Sequence, residues 1–528
     1  MHIKKLTCAA GLLLAAGVVG CNTGDLTNLN TNPNNPTTIQ SGPMFTYAAR
    51  LSAGTFVGNG FDLRQTEFVA QHWAEAQYPD EDRYARLDPA STRNTWLNTY
   101  AEQLEDLQKI AENAVASKDP GTYGPAQILT AWNYEYLTDT WGDIPYSDAL
   151  KGDSAGGAIT PSKLTPAFDS QKDVYAGLFT TLAAAAASLN GASNSLASAD
   201  PIYNGDPAAW AKFANSLRAR LAMRLVNVDP AKADAELTAA LSDPAGVFTS
   251  NADMAQLAYP GDGVYNNPWT DNFSGRDDHR VSQTLANVLV ANSDPRMSVM
   301  MQPVGDSSLS GPIGYAGMPN GLSASAAGNY LRTASRPGSY LYPGVTSFGT
   351  FGSAENKKNP VYLMTYAELC FIKAEAAARG MAGLTPAQAA GFYNAGIEAS
   401  MEQFGVTDAA AIATFEGGLN VAYKGGVAGQ TQIAVQKWVA MVGDGAQSWA
   451  EWRRTCQPST IKAGPAAVVK YVPRRFYYPI EEYTLNGTSV AAAIAAQGPD
   501  NFGTRGYWDT KPDAAPTYVS ASVCAGAP

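Results

Sequence analysis

Two stretches of this chain combine flat aromatic rings with amide, acid and guanidinium side chains, the mixture that recognises a sugar. A pyranose ring offers apolar C–H faces that lie on aromatic rings, and hydroxyls that need short-range donors and acceptors. Residues 259–276 set four aromatics on Gly/Pro turns, among them Tyr265, Trp269 and Phe273, interleaved with Asn267, Asp271, Asn272 and Arg276. Residues 72–84 carry Trp73, Tyr78, Arg83 and Tyr84 in similar company. These eleven side chains are the expected ligand contacts. A third mixture, residues 332–351, holds Arg336, Tyr340 and Tyr342. Loop rings often fold inward as local cores, so the expectation belongs to the clusters more than to any one ring.

Catalytic chemistry finds less support. Gly152-Asp-Ser154-Ala-Gly156 matches a nucleophile elbow, but no strand precedes it and no helix follows at once, and the elbow needs both. His72 and His279 are the histidines outside the N-terminal leader, which leaves few bases for a serine triad. A glycosidase needs two carboxylates, and among 47 acids no pair stands out. Asp262, Asp271, Asp277 and Asp278 lack the regular ligand spacing of a calcium-binding loop and read as solvated acids. Cys370, Cys456 and Cys524 have no zinc-type spacing. Cys370 falls on an apolar helical stripe and reads as a small buried hydrophobe. The expectation is a binding protein that is not an enzyme and needs no cofactor.

The elements that must position such loops are helices. Trp210, Phe213, Ala214, Leu217, Leu221 and Leu225 step by three and four behind Asp206-Pro207, an N-cap and a first-turn proline. Arg218 and Arg220 fall off that stripe and read as solvated or capping residues. A second stripe from Leu363 to Ala377 ends at Arg379-Gly380, and Thr385-Pro386 restarts a helix with Ala389, Tyr393 and Gly396. Helix, short turn, helix is the tetratricopeptide unit, although any helical hairpin has the same outline. Further helices are predicted over about 95–115, 125–141, 166–189, 229–241, 278–290 and 430–450, with residues 467–472 as the best strand. The fold class is therefore all-α. Residues 41–528 read as one domain: a helical scaffold over about 41–250 and 360–455, a loop-rich binding region over about 251–359, and a C-terminal region 456–528. The net charge of −11 argues against a nucleic-acid partner.

The N-terminus reads as an address. Lys4 and Lys5 precede a short apolar core that is too brief to span a bilayer, and Gly20 stands directly before Cys21. This pattern resembles the bacterial lipobox, which implies cleavage of residues 1–20 and lipidation of Cys21. Residues 21–40, rich in Asn, Thr and Pro, would form a tether. Asn22 stands where an Asp would resemble an inner-membrane retention signal, so the resemblance favours the outer membrane.

Several runs then become recognisable in order: Asn32-Pro-Asn-Asn-Pro-Thr37, Gln71-His-Trp-Ala74, Tyr136 to Asp148, Asn359 to Glu368 with Lys373-Ala-Glu-Ala376, Gln436-Lys-Trp438, Trp449 to Thr455, and Pro473 to Pro479. Together they resemble the SusD/RagB family of outer-membrane nutrient-binding lipoproteins, in its SusD-like branch. The resemblance implies a SusD-like fold with tetratricopeptide-like helix pairs. It also implies a lipid-anchored protein on the cell surface that binds glycans or oligosaccharides and delivers them to a TonB-dependent outer-membrane transporter. A peptide-binding importer subunit and a lipid-anchored glycoside hydrolase are the alternatives. Read as residues, Trp141 to Tyr146 are a helix-ending turn, and Trp449, Trp452, Arg453 and Arg454 are packing anchors.

Overall fold

Helical stripes and their caps build most of this chain, whose computed structural model describes residues 40–85, 89–152, 164–269, 277–304, 314–340 and 357–509. The described residues from Ser41 onward belong to one unit. The principal helices are α1 (Ser41–Phe56), α2 (Pro89–Asn98), α3 (Glu105–Ser117), α4 (Pro120–Trp141), α5 (Gln171–Ser188), α6 (Pro207–Arg224) and α7 (Pro230–Ser242). There follow α8 (Gln283–Ala291), α9 (Tyr366–Arg379), α10 (Ala389–Gln403), α11 (Gly426–Ala440), α12 (Gly445–Thr455), α13 (Ile480–Leu485) and α14 (Gly487–Gln497). Neighbours in sequence pack on one another: α3 on α4, α4 on α5, α5 on α6, α6 on α7, and α9 on α10. Helices α4 and α9 also pack on α6, which joins the two halves of the scaffold. No described helix is long and apolar enough to cross a membrane.

The caps are those the residues dictate. The Asp206 carboxylate accepts from the amides of Ala208 (2.9 Å) and Ala209 (3.4 Å), and Pro207 opens α6. Gly380 ends α9 in the left-handed region at φ 70°. Thr385 and Gln388 form a capping box before α10. A Cβ on Gly396 would lie 2.8 Å from the Phe371 ring, so the close approach of α9 and α10 requires glycine there.

Strands differ from expectation. Residues 467–472 contain no strand. Three two-stranded antiparallel pairs occur instead: β1 (Trp73–Glu75) with β5 (His279–Val281), β2 (Ile144–Pro145) with β3 (Phe168–Asp169), and β4 (Ala255–Leu257) with β6 (Val361–Met364). The predicted 278–290 and 166–189 helices each begin with one of these strands. The 430–450 helix is two: the first ends at Ala440, Gly443 turns the chain at φ 102°, and Asp444 caps the second by accepting from the Gln447 amide at 3.1 Å. Each strand is too short to carry a sheet alone, and each clips a loop to the helical body.

The larger correction concerns charge. Arg218 pairs with Glu236, and Arg220 is buried rather than solvated. Arg220 donates to both oxygens of Glu368 on α9 (2.9 and 2.8 Å) and to Glu135 on α4 (3.1 Å). One turn on, Arg224 meets Asp139 of α4 at 3.3 Å and Glu451 of α12. Lys437 of α11 reaches Glu451 at 3.2 Å, and Arg454 joins Glu451 to Glu375 with 2.6 Å contacts to each. This buried ionic network links α4, α6, α9, α11 and α12. Such groups are stable inside a protein only when mutually paired and hydrogen-bonded.

Burial raises the Glu375 pKa, but the Arg454 and Arg379 guanidiniums outweigh it and hold the carboxyl down at about 2. A depressed carboxylate contributes stability above its ordinary value near 4.5 and loses it as pH falls through about 2. Glu135 runs the other way: burial pushes it to about 7 despite Arg220, so its contribution is present at low pH and lost as pH rises through 7. Glu375→Gln should cost about 3 kcal/mol at neutral pH, by the usual loss on breaking a buried pair. Urea unfolding from pH 7 to pH 2 checks this: the variant should fall less than the wild type below pH 4.5, since Glu451 and Glu368 still titrate, and the gap between the two should close toward pH 2.

Candidate functional site

The described members of the predicted contact set divide into core and surface. Trp73 on β1 and Trp269 are 1% and 4% exposed and meet edge to face, with centroids 6.1 Å apart. Both rings are therefore packed rather than open platforms, a correction that follows for Trp73 from its place on β1, paired with β5, and for Trp269 from its contact with Trp73. Asn267 is also buried and makes a turn: its amide nitrogen donates to the Asn359 carbonyl (3.1 Å) and its oxygen accepts from the Trp269 amide (2.9 Å). Tyr78 and Tyr265 are half exposed, and the Arg50 guanidinium lies 4.3 Å from the Tyr265 ring centre. Asp271, Asn272, Phe273, Arg276 and Cys21 lie outside the described residues, as do Tyr342, Cys524 and most of the 152–156 motif. In the third mixture, Arg336 donates to Asp277 at 2.6 Å, and Tyr340 packs edge-on against Phe404.

Both histidines are interior. His72 contacts Glu67 through Nδ1 at 2.7 Å and the Trp438 carbonyl through Nε2 at 3.0 Å. Burial lowers its pKa to about 3 and raises that of Glu67, and the pair bridges the core, so His72 is not a base that faces solvent. Asp82 carries the polar side of the same loop: its carboxylate accepts from Asn320 Nδ2 (2.7 Å) and from the amides of Gly321 (3.0 Å) and Glu75 (3.3 Å). Burial pushes its pKa to about 7 against those bonds. Among the described residues no group of three His, Cys, Asp or Glu could hold a metal ion. Cys370 is free and buried, as its stripe implied, while Cys456 is in a disulfide.

Tyr84 instead lines a cleft whose wall Arg83 ties in place. Arg83 Nε donates to the Ala466 carbonyl at 3.1 Å, and its own carbonyl accepts from the Val468 amide at 2.8 Å, which holds residues 466–469 beside Tyr84. Opposite runs the segment after Pro473. Phe476 and Tyr478 point inward, and Tyr477 between them is 36% exposed, the alternation of an extended chain. Tyr477 meets Phe502 edge-on at 4.6 Å. Tyr483 of α13, 41% exposed, donates to Asp500 at 2.7 Å. Asp500 also accepts from the Tyr478 amide (3.1 Å) and pairs with Arg475 (2.9 Å), whose guanidinium stacks 4.4 Å from the Tyr478 ring. Val468, Val469 and Ile480 complete an open cleft of about 430 Å³. A second cavity beside Trp269 and Asp444, about 40 Å³, has room for water but not for a sugar ring.

The cleft thus has rigid aromatic faces, tyrosine hydroxyls and one carboxylate. Only Tyr84 among its rings had been singled out as a contact, and that ring is buried in the wall. The signal for the rest was Tyr477-Tyr478 bracketed by Pro473 and Pro479, quoted above only as part of a family run. Because Trp73 is a core ring, Trp73→Ala should destabilise the fold by about 3–5 kcal/mol, read by thermal or denaturant melting. Tyr477→Ala, on a half-open ring, should change the melting point far less.

A family model described as "starch-binding associating with outer membrane" (SusD-like) matches residues 33–479. Among solved structures, a chitin-binding protein superposes with a TM-score of 0.76 at 25% identity, covering 89% of this chain and 100% of its own. A chitin-binding SusD homolog from Flavobacterium johnsoniae gives 0.72 at 27% identity, covering 89% and 97%. A SusD homolog from Bacteroides fragilis gives 0.74 at 24% identity over 90% and 100%, a likeness of fold. No curated protein sequence matches the chain. With a matching model across most of its length and the same helical architecture throughout, the chain belongs to the SusD-like family of glycan-binding, outer-membrane-associated proteins.

Proposed function

We propose that this protein is a lipoprotein of the cell surface, anchored through Cys21, that captures an oligosaccharide in the tyrosine cleft and passes it to a TonB-dependent transporter. The observation that carries this reading is the cleft itself. Tyr477 and Tyr483 are held open by Phe502 and Asp500, and each presents a ring face for a pyranose and a hydroxyl for its rim. A ring fixed before the ligand arrives loses little entropy on binding, which favours recognition by stacking. Chitin-type oligosaccharides are the first ligands to try, given the two chitin-binding neighbours. The role is capture without bond cleavage, in keeping with the family. Two acyl chains or more at Cys21 would hold the protein stably on the membrane.

Tyr477→Ala and Tyr483→Ala should each weaken oligosaccharide binding about tenfold, the equivalent of about 1.4 kcal/mol of stacking. Isothermal titration checks this, and unchanged affinity in both variants would remove the cleft as the site. Replacing Cys21 with Ala should move the protein from the membrane fraction to the soluble fraction of cell extracts, read by immunoblot.

A further inference from the structure

Charge around the cleft points to a narrower ligand class. We infer that the cleft selects uncharged oligosaccharides over uronate- or sulfate-bearing ones, an inference that rests on the glycan reading above. Asp500 is the one ionisable acid lining the cleft among the described residues. Its partner Arg475 is 2% exposed, lies under the Tyr478 ring and is already paired with Asp500, so it offers no cation to a ligand.

No Lys or Arg is among the described residues that line the cleft. On the adjoining segments Arg83 pairs with Asp80, Lys470 donates to the neutral Ala467 carbonyl and keeps its charge outside the lining, and Arg93 pairs with Glu481 at the start of α13. Glu482 of the same helix accepts from Trp96 Nε1 at 2.9 Å, adding a second acid behind the wall. An anionic ring would therefore meet a lining whose one carboxylate already holds its buried counter-charge and which presents no cation to replace the ring's water. The whole chain repels it too, at a net charge of −11. A neutral ring meets aromatic faces and hydroxyls, which it satisfies in full.

The test uses the purified mature protein and a panel of hexasaccharides: chito-, cello- and maltohexaose against hexagalacturonate, by isothermal titration at 20 mM and 200 mM salt. The expected result is binding of at least one neutral member, hexagalacturonate at least about tenfold weaker, and a gap that narrows at high salt as repulsion is screened. Asp500→Asn, which leaves Arg475 without its counter-charge, should raise affinity for hexagalacturonate. A thermal melt confirms that this variant is folded, and the wild-type comparison decides the matter if it is not. Uronate binding as tight as neutral binding overturns this inference and leaves the glycan reading standing. No binding to any member overturns both.

Discussion

Arg220 is the residue on which the scaffold turns. A guanidinium cannot be taken out of water unless every face finds a partner, and this one finds two carboxylates and the Leu363 carbonyl on elements distant in sequence. The network it begins, through Arg224, Glu451, Lys437, Arg454 and Glu375, binds five helices in one arrangement, because a slipped helix would strand a buried charge. Apolar contacts supply most of the drive to pack, but they tolerate sliding. Paired charges set the register.

The cleft inherits its shape from that scaffold. Its tyrosine wall is attached at the end of α4 and the middle of α12: Trp141 Nε1 donates to the Tyr477 carbonyl (2.9 Å), Trp449 Nε1 to the Pro473 carbonyl (2.7 Å), and the Tyr478 hydroxyl to the Asp143 carbonyl (2.6 Å). Arg453, stacked 3.7 Å from Trp449, donates to the carbonyls of Asp139 and Arg474. The helix-ending turn at Trp141-Gly142-Asp143 and the cluster of Trp449 and Arg453 therefore act as the mount of the cleft without lining its opening. Local anchoring of this kind keeps Tyr477 and Tyr483 exposed yet fixed.

Much of the helical architecture was legible because its signals are local. The Asp206-Pro207 cap, the Arg379-Gly380 stop and the Thr385-Gln388 capping box all follow from residues within a few positions of one another. The strands were not legible, since two to four residues leave no periodicity to read and their partners lie far along the chain. Trp73 and Trp269 misled for a related reason. A ring among polar loop residues looks available until a distant segment covers it: Trp73 sits on β1, paired with β5, and Trp269 packs against Trp73.

The amino-acid sequence by itself determined the class of fold and the family, since each rests on short-range pattern or ordered motifs. It also held the spacing of the buried network, with Glu135 and Asp139, Arg220 and Arg224, and Glu368 and Glu375 each repeating on one helical face. Only the tertiary structure decided that those faces turn inward. Only it brought Tyr84, Val468, Tyr477, Tyr483 and Asp500 around one opening, because burial and contact depend on which distant segments meet, and no local spacing encodes that.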